Sequence, residues 1–290
     1  MPSLILFGAG GQLGQCLAET ALPAGWRLEA VPRARASITD AAAVAAAIAA
    51  CPDAGVVVNA AAYTAVDKAE SEPEAAFAVN RDGAAHVAAA TAAAGLPLIH
   101  ISTDYVYDGG KTSPYHEDDA PNPRSVYGAS KLAGEQAVRA ATPRHAIVRT
   151  AWLFSPHGHN FLKTMLRLGQ ERDRLTVVDD QTGCPTAATD LAAAIAALAP
   201  RLAADQGFGT FHYAGDEAVT WCGFARAILA GAARRGRRVA EVAAIPGSAY
   251  PTPACRPAYS VLSCRRLQDT HGIAPSAWRA ALERYLDRLL

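Results

Sequence analysis

Short apolar runs, each closed by small or turn-forming residues, recur along the first half of the chain. Leu4-Ile5-Leu6-Phe7, Val56-Val57-Val58, Leu98-Ile99-His100-Ile101 and Ala146-Ile147-Val148 show no regular alternation of apolar and polar positions. Runs of this kind predict strands covered on both faces, as in a parallel sheet. Helix-compatible segments lie between them, 74–94 and 130–140 among others. That order predicts right-handed crossovers and a doubly wound parallel sheet of the Rossmann type, an α/β fold. Residues 41–50 are apolar and almost all alanine, stopped by Cys51-Pro52. They are too few to span a bilayer and predict a buried helix.

The rhythm changes after Trp152. A charged turn, a strand at Leu175-Thr176-Val177-Val178 and a turn at Gly183-Cys184-Pro185-Thr186 come first. An irregular stretch rich in proline and alanine, 246–257, and an amphipathic helix over 278–290 follow. We therefore expect residues 1–152 to be mainly a dinucleotide-binding domain. Residues 153–290 should be mainly a smaller, mixed substrate-binding lobe, with some segments returning to the first domain.

Composition narrows the class of protein without naming a function. The chain has 290 residues, 51% hydrophobic and 19% charged, with a formal net charge of zero. Those fractions suit a compact soluble protein, and the balanced charge argues against nucleic acid or an anionic membrane as partner. Arg234-Arg235-Gly236-Arg237-Arg238 reads as a solvated helix end and turn. The six cysteines form no Cys-x-x-Cys pair, so most should be buried fillers in a reducing compartment. His157-Gly158-His159 lacks a supporting carboxylate or cysteine and reads as a loop, so no metal site is expected. The N-terminus shows no secretory pattern, and the expected location is cytoplasmic.

The first strand runs into a glycine loop, Gly8-Ala9-Gly10-Gly11-Gln12-Leu13-Gly14, which fits Gly-x-x-Gly-x-x-Gly. Small residues there let the backbone, with Gln12 and Leu13 opening a helix, approach a pyrophosphate. After the second strand, Arg33 and Arg35 stand where a ribose acid would otherwise be, followed by Ser37 and Ile38. Guanidinium suits a 2′-phosphate, so the expected cofactor is NADPH, with NADH left open because solvated arginines would look the same. After the third strand, Ala61, Ala62, Tyr63 and Thr64 form a small-residue segment over which a cofactor can pass. Further on, Ser102-Thr103-Asp104 ends an apolar run, and Tyr127 and Lys131 stand four apart. Positions i and i+4 share a helix face, and an ammonium beside a phenol lowers a pKa that is ordinarily about 10. The pair is suited to proton delivery onto a carbonyl.

With these features in order, the chain resembles extended short-chain dehydrogenase/reductases, and within them the dTDP-4-dehydrorhamnose reductase family. The narrower matches are residues 59–72, 102–107 and 126–135, Arg149-Thr150-Ala151-Trp152, residues 160–168, Asp180-Gln181-Thr182-Gly183 with Pro185-Thr186, and residues 251–257. The resemblance implies reduction by NAD(P)H of the 4-keto group of dTDP-4-dehydro-6-deoxy-L-mannose to dTDP-L-rhamnose. It implies Tyr127 as proton donor, Lys131 as the residue that binds the nicotinamide ribose and lowers the Tyr127 pKa, and Thr103 as hydrogen-bond donor to the developing alkoxide. It places Ser102 with the cofactor, and Thr103, Asp104, Tyr105, Trp152, Asn160 and Arg256 near the sugar nucleotide.

The chain departs from the family in two respects. Val31 and Ser37 leave the usual ribose acid absent. Cys16 and Thr189 stand where some relatives place glutamates of a metal-bridged dimer, so monomer and homodimer both remain open. Two other readings are a catalytically silent, NADP-binding regulatory subunit and a nucleotide-sugar epimerase or dehydratase.

Overall fold

The computed structural model describes residues 1–290. The chain begins β1 (Ser3–Phe7), α1 (Gln12–Glu19), β2 (Arg27–Val31), α2 (Ala41–Ala49) and β3 (Ala54–Asn59). Two short helices, α3 (Val66–Ala69) and α4 (Pro73–Phe77), precede a π-helical turn, Ala78–Gly83, that runs into α5 (Ala84–Ala93). Then come β4 (Leu98–Thr103), α6 (Val126–Ala141) and β5 (His145–Thr150). The continuous apolar runs became these strands because both sheet faces are covered: Leu4, Leu6, Val56 and Val58 pack on one side, Ile5, Phe7 and Val57 on the other. Residues 41–50 form a helix but not a buried one. Only Val44, Ala47 and Ile48 are buried in α2, because an alanine-rich helix on a sheet needs just one face inward.

The second half continues with β6 (Leu153–Phe154), α7 (Phe161–Glu171), β7 (Arg174–Val178), β8 (Thr182–Gly183), β9 (Thr186–Ala187) and α8 (Ala188–Ala203). It ends with β10 (Gly209–His212), β11 (Val219–Thr220), α9 (Trp221–Arg234), β12 (Glu241–Ile245), α10 (Arg265–His271) and α11 (Trp278–Leu289). The main sheet has six strands in the order β10-β5-β4-β3-β1-β2, every neighbouring pair parallel. Strand order reverses between β1 and β3, which opens the crevice where such sheets take ligands. Beside it, β7 pairs in parallel with β12, and α7, α9 and α11 enclose a separate core around Phe154, Phe224 and Trp278. No helix is long and apolar enough to cross a membrane.

Candidate active site

The crevice is built from four strand ends. At β1, Gly8 has φ +89°, and a Cβ there would lie 2.5 Å from the Ala61 nitrogen, so only glycine lets the loops after β1 and β3 touch. A Cβ on Gly11 would meet only the Gly8 carbonyl, at 3.4 Å. Gly11 is exposed and is the N-cap of α1, yet no side chain caps that helix. The first-turn N–H groups and the dipole of α1 are therefore left for an anion, and this cradle fits the pyrophosphate of a dinucleotide. Leu13 contributes backbone alone, since its side chain is in the core.

After β2, the two arginines differ. Arg35 is paired with Glu29 of β2, whereas Arg33 is exposed and has no ion-pair partner. The acid missing from the loop is thus supplied by the strand, and it occupies Arg35. Ser37 is half-buried with its hydroxyl 2.8 Å from that of Thr39. The Ile38 side chain is core, packed where Gly83 leaves room. After β3, the Tyr63 N–H donates to Asn80 Oδ1 at 2.8 Å, and Asn80 Nδ2 donates to Ser130 Oγ at 2.9 Å. That bridge binds the segment holding Ala61, Ala62, Tyr63 and Thr64 to α6.

Helix α6 carries the proton-handling residues. Ser125 caps it, its hydroxyl accepting from the Gly128 N–H at 3.1 Å. A Cβ on Gly128 would lie 2.2 Å from the Tyr105 carbonyl, so this glycine lets the helix press against the end of β4. That contact gathers Ser102, Thr103, Asp104 and Tyr105 beside Tyr127 and Lys131. The rings of Tyr105 and Tyr127 meet edge to face, with centroids 5.5 Å apart.

The electrostatics differ from the sequence-based expectation. Burial pushes the Tyr127 phenol up to about 12, the nearby Thr103 hydroxyl pulls against this, and the Asp104 charge adds to it. The Lys131 ammonium donates to the Ile101 carbonyl at 2.7 Å rather than to the phenol. Burial brings Lys131 itself down to about 8, opposed by the negative charge of Glu135. Asp104 is also buried, which raises its carboxyl to about 6 against the nearby Ser260 hydroxyl and a hydrogen bond from Thr103. Its Oδ1 accepts from the Thr103 hydroxyl at 3.0 Å, and its Oδ2 is buried without a partner.

Two residues expected to face ligands are engaged elsewhere. The Ser102 hydroxyl donates to Glu135 at 2.6 Å, inward and away from the crevice. Asn160 caps α7 through Oδ1, and its Nδ2 donates to Gln12 Oε1 at 2.9 Å and to the Ser155 carbonyl at 2.8 Å. It joins the second lobe to the glycine loop rather than presenting a free amide. Arg256 lies on the rim in an ion pair with Asp67 at 2.7 Å. Trp152 has φ +46°, a strained value for a bulky residue. Its indole stacks on Trp221 at 3.5 Å and covers Gly183, forming an aromatic wall. Trp221 was not singled out from sequence; Asp67, Glu135 and Arg149 fall inside the matched stretches 59–72, 126–135 and 149–152 but were given no role there.

The RmlD substrate binding domain family model matches residues 2–290. The chain is 48% identical to the dTDP-4-dehydrorhamnose reductase of Sinorhizobium fredii over 244 residues, 83% of this chain and 82% of that protein. It is 40% identical over 288 residues to the protein of the same name from Aggregatibacter actinomycetemcomitans, 98% of each. Among solved structures, dTDP-4-dehydrorhamnose reductase from Bacillus anthracis in complex with NADP superposes with a TM-score of 0.92 at 34% identity, covering 99% of this chain and 100% of that one.

Proposed function

Given that this chain belongs to the dTDP-4-dehydrorhamnose reductase family, we propose that it is a cytoplasmic NADPH-dependent oxidoreductase converting dTDP-4-dehydro-6-deoxy-L-mannose to dTDP-L-rhamnose. The observation that carries this reading is the convergence of the uncapped α1 N-terminus, the Tyr127–Lys131 face of α6 and Thr103 on one crevice.

Bound NADPH supplies the hydride. The protein's own part is to bind, orient and move one proton. Gly8, Gly11 and Gly14 with the backbone of Gln12 and Leu13 receive the pyrophosphate, and the exposed Arg33 is the cation free to meet a 2′-phosphate. Thr103 turns its hydroxyl from Asp104 to the carbonyl oxygen and donates to it as negative charge develops there. Tyr127, held as the neutral phenol by burial, is in the form that donates a proton to that oxygen. Lys131 moves from the Ile101 carbonyl toward the nicotinamide ribose and the phenol, where its charge favours the phenolate left behind. Trp152 and Trp221 offer an apolar face to the deoxysugar, and Arg256 offers a charge to the diphosphate.

Purified protein mixed with the keto sugar and NADPH should lose nicotinamide absorbance. Tyr127→Phe should reduce kcat by about 10²-fold or more while leaving NADPH binding nearly intact. No oxidation of NADPH or NADH by the unaltered protein defeats the functional reading. Undiminished turnover by Tyr127→Phe defeats only the proton-donor role.

A further inference from the structure

Behind the crevice lies a buried charge pair that the mechanism above does not use. Glu135 and Arg149 are 0% and 1% exposed. Arg149 Nε donates to Glu135 Oε1 at 2.9 Å and its NH2 to Oε2 at 2.6 Å, a two-pronged contact. The third guanidinium nitrogen donates to the Tyr107 hydroxyl at 2.7 Å. Glu135 also accepts from Ser102 Oγ at 2.6 Å and from Arg139 at 2.9 Å. Burying such a pair adds little to stability compared with apolar residues of similar volume, so its position calls for another reason.

That position is between the proton donor's helix and the strand bearing Thr103. On α6, Glu135 stands one turn after Lys131. Lys131 donates to the carbonyl of Ile101 and Glu135 accepts from the hydroxyl of Ser102, so consecutive residues of β4 are stitched to the same helix face. Thr103 is the next residue. The titratable groups acting on Lys131 are Glu135 on its own helix and His100 on β4. Burial keeps His100 neutral, which leaves Glu135 as the anion acting on the ammonium.

We propose that Glu135 is a positioning residue of the reductase site: clamped by Arg149, it fixes the end of β4 that carries Thr103 and supplies the buried negative charge that keeps Lys131 an ammonium. This rests on the functional reading above. It separates two duties on one helix face, with Tyr127 delivering the proton and Lys131 and Glu135 holding the strand that carries Thr103.

Its test is the pH profile of kcat with NADPH and dTDP-4-dehydro-6-deoxy-L-mannose for the unaltered protein, Glu135→Gln, Glu135→Asp and the double variant Glu135→Gln/Arg149→Met. The double variant removes both charges and so leaves no unpaired ion to unfold the core. Without the Glu135 charge, Lys131 loses its proton at lower pH. The alkaline limb should therefore move down, and the kcat deficit should widen by about tenfold between pH 6.5 and 8.5. Glu135→Asp should restore the limb while kcat stays reduced. A purely structural role lowers kcat by one factor at every pH, and that result overturns the proposal. Failure of all three variants to fold also overturns it, by assigning the pair to folding alone. If the unaltered protein turns over no substrate, the functional reading falls; if it is active and the limb is unmoved, only the role of Glu135 falls.

Discussion

Asp104 shows how a single residue can be in energetic conflict with its fold. Its carboxyl is buried, one oxygen has no partner, and its pKa is raised from 3.8 to about 6. An acid with a folded pKa above its unfolded value favours folding in the protonated form. Relative to a permanently neutral side chain, its cost is absent below the unfolded pKa and fully present above the folded one. Asp104→Asn should therefore be more stable than the unaltered protein by about 3 kcal/mol at pH 8, an order-of-magnitude figure from the two-unit shift. The gain should shrink to about 0.5 kcal/mol near pH 4. Denaturant unfolding at the two pH values checks this, and an equal gap at both would show that burial of the charge is not the cause. A conflict of this kind beside Thr103 and Tyr127 is typical of groups retained for a ligand.

At the scale of elements, the two glycines at the start of α1 answer to different demands. A Cβ at Gly14 would lie 2.3 Å from the Gly8 carbonyl and 2.6 Å from the Ala9 Cα, whereas at Gly11 the space is open toward the crevice. Gly11→Ala should keep the fold to within about 1 kcal/mol, the usual scale of an N-cap change, yet weaken NADPH binding at least tenfold by filling the cradle. Gly14→Ala should lose thermal stability as well as affinity. Fluorescence titration with NADPH beside a melting curve separates the two, and full affinity in Gly11→Ala would show that the pyrophosphate lies elsewhere. This loop was readable in sequence because a strand, small residues and a helix start follow one another within a dozen positions. The same holds for Tyr127 and Lys131, which one helix face brings together. Trp221 against Trp152, Arg256 against Asp67, and Glu135 against Arg149 join distant segments, and no local period encodes those meetings. The Glu29–Arg35 pair was hidden differently, since the acid lies in the strand rather than in the loop it serves.

At the scale of the whole molecule, segments from beyond the change of rhythm return to the sheet of the first half, as the sequence led us to expect of some of them. Helix α8 and strand β10 come from the second half, yet β10 pairs with β5 at the edge of the main sheet. Leu191, Ile195, Leu198, Phe211 and Leu267 pack with Leu4, Leu6, Val56 and Val148 in one core cluster of 21 buried residues, more than half of them later than residue 152. The remote end is tied back too: Arg288 of α11 pairs with Glu19 of α1 at 2.9 Å. A fragment of residues 1–152 would expose one face of β1, β3 and β5, leaving several leucine and isoleucine side chains in water at roughly 1.5–3 kcal/mol each. Marginal stability cannot absorb that loss. The fragment should show no cooperative melting transition and no NADPH binding. Adding back residues 187–213 on a short linker, which restores α8 and β10, should recover part of both. A fragment of residues 1–152 that melts cooperatively and binds NADPH would show that the first five strands are a complete folding unit, and that the later segments only cover it.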